Sequence, residues 1–96
     1  MKNGSVKNHP YINIGGTSVL PKDDVLGVFD LDTASTKTDT KRYLASMEQI
    51  KRLEVVGMDI PKAFVVTSNG RKSKVYMTTL SASSIHGRWK RQSKYL

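Results

Sequence analysis

The sequence predicts an α+β fold: a small, mostly antiparallel β-sheet packed against one main helix, with elements in the order ββ-α-β-ββ-α. Three observations carry this. Residues 63–67 (AFVVT) and 73–79 (SKVYMTT) flank an Asn69-Gly70 pair, the signature of a tight hairpin. Tyr43, Leu44, Met47 and Ile50 recur at the spacing of one helical face. Short apolar runs punctuated by Gly and Pro supply the remaining strands. A chain of 96 residues with 38% hydrophobic content makes one small domain.

Residues 1–10 are polar and read as a flexible arm. Residues 11–14 alternate as a short strand, Gly15-Gly16 turns the chain, and residues 17–20 return before Pro21, which fits a strand end. Residues 25–31 (VLGVFDL) are nearly continuous in apolar character, which predicts a strand buried on both faces. A Thr/Ser/Asp loop over 32–40 leads into the helix, expected at 41–51. Thr36 and Asp39 stand at capping spacing, and the Lys, Arg and Glu residues cover the solvated face.

Residues 53–56 form a further strand, ended by Gly57. With Asn69-Gly70 as the two loop residues of a type I′ turn, Ser68 faces Arg71, Val65 faces Lys74 and Phe64 faces Val75. Alternation then places Phe64, Val66, Val75 and Met77 on one face and Val65, Lys72, Lys74 and Tyr76 on the other. A short last helix is expected from Ser81 to about Lys90, capped by Ser81 or Ser83, with Trp89 packed one turn from Ile85. The domain therefore spans 11–88, followed by a basic tail over 89–96.

Charge is the strongest functional signal. Residues 1–60 hold all eight acids and eight of the sixteen Lys/Arg, so that part is neutral. Residues 61–96 hold Lys62, Arg71, Lys72, Lys74, Arg88, Lys90, Arg91 and Lys94 and no acid, so the net charge of +8 belongs to one segment. Such a segment favours a polyanion, and DNA is the partner this predicts. Lys62, Arg71, Lys72, Lys74, Arg88, Lys90 and Arg91 are the expected phosphate contacts, with Tyr76 placed to lie on a base or sugar. The alternative is a regulator whose basic surface docks on an acidic protein without touching DNA. Short edge strands and a small core favour a homo-oligomer.

Other chemistries find less support. Residues 28–33 (VFDLDT) are similar to the first motif of haloacid-dehalogenase-type phosphatases, in which the first Asp is the nucleophile and the second a general acid/base. That chemistry needs a later Lys and a later acidic pair, and no acid follows Asp59. Asp30 and Asp32 are instead expected to end a strand and start a loop, and no enzymatic activity is expected. His9 and His86 stand without partners at ligand spacing and the chain has no cysteine, so no metal, cofactor or disulfide is expected. No apolar run approaches the roughly 18 residues of a spanning helix, and the polar start lacks the middle of a signal peptide. A soluble, cytoplasmic protein without membrane contact is the expectation.

From Tyr11 to about Arg88 the chain resembles the small bacterial extracellular-matrix regulatory proteins of the RemA/RemB family, the RemB branch above all. The resemblance rests on YINIGG (11–16), VLPK (19–22), VLGVFDL (25–31), DIPKAFVVT (59–67) and VYMTTLS (75–81), in that order. It implies a non-enzymatic, DNA-binding transcriptional regulator of biofilm-matrix genes, a domain similar to LytTR-type DNA readers, and ring assembly in the RemA-like relatives. One departure matters. The RemA branch carries adjacent arginines after the glycine matching Gly57, and here Met58-Asp59-Ile60-Pro61 stands there, with Lys62 the one positive charge retained nearby.

Overall fold

The structure is a computed structural model that describes residues 11–34 and 37–93. The α+β expectation holds, with one more strand before the main helix than the expected order. The elements are β1 (Tyr11–Gly15), β2 (Ser18–Pro21), a 3-10 turn (Lys22–Asp24), β3 (Val25–Asp30), the single helical turn α1 (Leu31–Ala34), α2 (Thr38–Gln49), β4 (Leu53–Val56), β5 (Ala63–Asn69), β6 (Lys72–Thr78) and α3 (Ala82–Ser93). β1 and β2 make a separate hairpin, while the main sheet runs β3-β5-β6-β4. Its pairs are antiparallel except β4 with β6, which is parallel because α2 carries the chain back between α1 and β4.

The β5–β6 hairpin turns one step later than its Asn-Gly pair suggests. Gly70-Arg71 are the loop residues, with Asn69 opposite Lys72. Ser68 therefore faces Ser73, Val65 faces Tyr76 and Phe64 faces Met77, in place of the expected partners Arg71, Lys74 and Val75. Gly70 has φ +66° and Arg71 is not in the positive-φ region, the requirement of a type II′ turn with glycine first rather than of type I′. The slip moves each pairing by two residues. Because side chains alternate with period two, the expected face assignment survives.

Each face of the main sheet carries its own core. Phe64 and Val75 meet Met47 and Leu44 of α2, with Leu53, Val66 and Met77 around them. On the opposite face Val65 and Val56 meet Ile12, Ile14 and Leu20 of the β1–β2 hairpin and Ile85 of α3. Trp89 packs against this second cluster, as its spacing from Ile85 predicts. The Ser81 hydroxyl accepts the Ser84 amide at 3.1 Å and so caps α3, which runs on to Ser93, through the first part of the expected tail.

Thr78, fully buried, joins hairpin to sheet: its hydroxyl donates to the Ile14 carbonyl and accepts from the Leu80 amide. A Cβ at Gly15 would stand 3.1 Å from that hydroxyl oxygen, and the positive φ of +137° there also suits glycine.

Two expectations are corrected. Residues 25–31 do not form a doubly buried strand: β3 is a sheet edge, with Leu26 67% and Phe29 45% exposed, because β5 pairs with it on one side alone. Leu31 belongs to the helical turn that follows, and Asp30 caps that turn by accepting the Asp32 amide at 2.8 Å. The main helix runs over Thr38–Gln49 rather than 41–51, so Ile50 leaves the apolar stripe and is exposed. The expected cap Thr36 lies outside the described residues.

At the helix end the Arg52 amide donates to the Met47 carbonyl at 2.8 Å and the Lys51 amide to Glu48 at 3.0 Å, a Schellman closure. Lys51 takes the left-handed position with φ +61°. A left-handed non-glycine residue costs about 1–2 kcal/mol, offset in part by the greater chain entropy of glycine when unfolded. Lys51→Gly is therefore expected to stabilise the fold by about 0.5–1 kcal/mol in urea denaturation. Thr78→Val strands the buried Ile14 carbonyl and the partly buried Leu80 amide, and a loss of about 1–3 kcal/mol is expected in the same assay.

Candidate nucleic-acid interface

The basic residues divide between the two ends of the main sheet, and the strand register assigns each to its end. β5 runs toward the Gly70-Arg71 turn and β6 away from it. Arg71 and Lys72 stand exposed at this turn. Lys74 follows two residues later on the same face as Lys72. Parallel pairing of Leu53 with Val75 brings the start of β4 beside them. The Val75 amide donates to the Arg52 carbonyl at 2.9 Å, and the Arg52 guanidinium reaches within 3.5 Å of the Ser73 carbonyl oxygen.

α3 begins at the far end and runs back. Its Trp89 lies beside Val25, which pairs with Thr67 near the turn. The exposed Lys90 therefore stands at the turn end. Lys22, on the strand lead-in there, sets its ammonium 4.9 Å from the centre of the Trp89 ring.

Lys62 lies elsewhere. It precedes β5, with its amide on the Thr78 carbonyl at 2.8 Å, one strand length from the turn, or roughly 20 Å at 3.3 Å per residue. The loop before it, from Gly57, exposes Met58 and Ile60. This loop thus lies at the end of the sheet opposite the hairpin turn.

Three of the expected contacts are engaged within the molecule. Lys74 Nζ donates to Glu54 Oε1 at 2.8 Å and lies 5.0 Å from the centre of the Tyr76 ring. The hydrogen bond to Glu54 raises the Lys74 ammonium above the ordinary lysine value, against a smaller opposing push from desolvation. A raised lysine keeps its full contribution below the unfolded value and loses it as pH climbs through the folded one, so the pair is intact at neutral pH. Both side chains are about half exposed, and such surface pairs contribute about 0–1 kcal/mol.

Tyr76 is half-buried against the Val65 core, which leaves it poorly placed as a stacking platform. Arg88, also half-buried, donates to Asn13 Oδ1 at 2.6 Å. That oxygen also accepts the Gly15 amide, while Asn13 Nδ2 donates to the Gly16 carbonyl, so Arg88 braces the β1–β2 turn against α3. The Arg91 side chain and Lys94 lie outside the described residues.

The cluster at the turn end is thus Arg71, Lys72, Lys74 and Lys90 from the expected set, joined by Arg52. Sequence reasoning assigned Arg52 to the solvated helix face. The β4–β6 pairing that recruits it joins residues more than twenty positions apart, and no local pattern announces that. No protein-family model matches the chain, and no curated protein matches it.

Glu54 is the acid held inside this cluster, and it competes for Lys74 with any phosphate that approaches. Glu54→Gln is expected to tighten duplex-DNA binding severalfold at physiological salt, read by fluorescence anisotropy. Stability should change by no more than about 1 kcal/mol. Unchanged affinity would remove Lys74 from the interface.

Proposed function

We propose that the protein is a non-enzymatic DNA-binding regulator that grips the phosphate backbone with the basic turn end of its main sheet. The observation that carries this reading is the convergence there of Arg52, just before β4, with Arg71, Lys72 and Lys74 of the hairpin, while Lys90 of α3 stands at the same end on the β3 side. Lysine and arginine on phosphates supply affinity without sequence information. Tyr76 and Trp89 are half-buried against the core, and each already carries a lysine ammonium over its ring, Lys74 and Lys22 respectively. Weakly specific binding follows. Repeating the patch around a homo-oligomer would raise avidity without new contacts. The resemblance to the matrix-regulatory family makes transcriptional control of biofilm-matrix genes the context of this binding, in the cytoplasm. Among the described residues no helix is long and apolar enough to cross a membrane.

The test is anisotropy of a labelled duplex against purified protein over a salt series, with light scattering on the same samples. Four or five neutralised phosphates give a slope of log K against log salt of about −4. The double variant Arg71→Glu/Lys72→Glu is expected to lose binding by more than about tenfold, whereas Lys62→Glu changes it little. Absence of binding at low salt would overturn the reading, and an equal effect of Lys62→Glu would move the interface away from the turn.

A further inference from the structure

β3 has β5 on one side, and among the described residues no strand pairs with its other side. An open strand edge presents unpaired amides and carbonyls to any extended chain. This edge is also flanked by a cavity on each face. One, of about 240 Å³, is lined by Val25, Val28, Ile85, His86 and Trp89 on the α3 side. The other, of about 250 Å³, is lined by Phe29, Tyr43, Phe64 and Val66 on the α2 side. Leu26 and Gly27 border both. On the α2 side the Phe29 ring lies close over Gly27: a Cβ there would stand 2.8 Å from that ring, which stacks on Phe64 with centroids 5.2 Å apart.

Successive side chains of a strand added beside β3 point to opposite faces, so two adjacent apolar residues would enter one cavity each. The ends of the strand add a second requirement. Asp23 and Asp24 precede it, Asp30 and Asp32 follow it, and these are four of the chain's eight acids. A symmetric antiparallel pairing of two copies would set the Asp23-Asp24 end of one against the Asp30–Asp32 end of the other, and like charges across a pair repel. The bulge between Val25 and Gly27 interrupts the ladder at Leu26, a feature that restrains indiscriminate edge pairing.

We propose that the β3 edge is a strand-addition site for a partner protein, taking an extended segment with two adjacent apolar residues flanked on both sides by Lys or Arg. The apolar pair fills the two cavities, the backbone extends the sheet by one strand, and the basic flanks meet the aspartates. This site lies apart from the basic turn and does not depend on the DNA reading.

The probe is a fluorescein-labelled peptide, Lys-Lys-Thr-Leu-Phe-Thr-Lys-Lys, titrated with the full chain and followed by anisotropy. A companion peptide carries Glu at every Lys. The basic peptide is expected to bind with micromolar affinity and the acidic one at least about tenfold more weakly. Leu26→Lys and Asp23→Lys, both at exposed positions, are expected to weaken binding by about tenfold while circular dichroism stays unchanged. Arg71→Glu/Lys72→Glu should leave it intact. Amide shift changes in the NMR spectrum should concentrate on β3. No binding at millimolar concentration would overturn the proposal, as would binding that survives Leu26→Lys or amide changes centred on the hairpin turn. A fall in oligomer size on Leu26→Lys, seen by light scattering, would also overturn it by assigning the edge to a second copy.

Discussion

Every layer of this molecule depends on the alternation of the β5–β6 hairpin. Val65 and Val75 are both fully buried yet point to opposite faces of one sheet. Val65 anchors the layer made by the β1–β2 hairpin and α3, and Val75 anchors the layer made by α2. Burying each such side chain contributes about 1.5–3 kcal/mol. A one-residue slip in the hairpin would exchange the two sets and disrupt both cores at once. The face pattern is therefore held by the two cores, and the Gly70-Arg71 loop, a two-residue shift of pairing from the one the Asn-Gly signal favours, keeps that pattern intact.

The same logic separates what was legible in the sequence from what was not. Face assignment in β5 and β6, the existence of α2, a serine cap on α3 (Ser81 of the two candidates Ser81 and Ser83) and the packing of Trp89 all follow from local periodicity or spacing, and the structure bears them out. Composition misled at β3, whose six apolar-rich residues look like a central strand but sit at an edge. Hydrophobic content reports burial only if neighbours exist on both sides, and strand order is a property of the whole chain. The recruitment of Arg52 was hidden for a related reason. Parallel pairing of β4 with β6 has no local sequence signature, so the base nearest the hairpin lysines looked like part of a distant helix surface.

Of the eight residues first assigned to phosphates or bases, the described structure divides the set by energetic role. Arg71, Lys72 and Lys90 are exposed, and Lys74 is held by an acid that a phosphate could replace. Arg88 is different: its hydrogen bond to Asn13 ties α3 to the β1–β2 turn, so removing it would perturb packing before any partner is considered. Tyr76 likewise serves the core. Net charge alone could not draw this division, because a cation contributes to a partner only in so far as the fold leaves it uncommitted.

Charge placement also constrains the direction from which a nucleic acid could approach. Asp23 and Asp24 stand at the β3 side of the turn end, because Val25 pairs with Thr67 there. Arg52, Lys72 and Lys74 stand on the β6 and β4 side. At physiological salt a charge is felt over about 8 Å, while adjacent strands are about 4.8 Å apart. The two aspartates therefore repel a phosphate backbone that approaches across β3 but are largely screened from one that approaches across β4. A duplex on the turn end would lie toward β4, and the acidic edge of β3 would remain clear of it. Lys22 and Lys90 stand near these aspartates beside β3, so the cations farthest from the acids are Arg52, Lys72 and Lys74 on the β6 and β4 side.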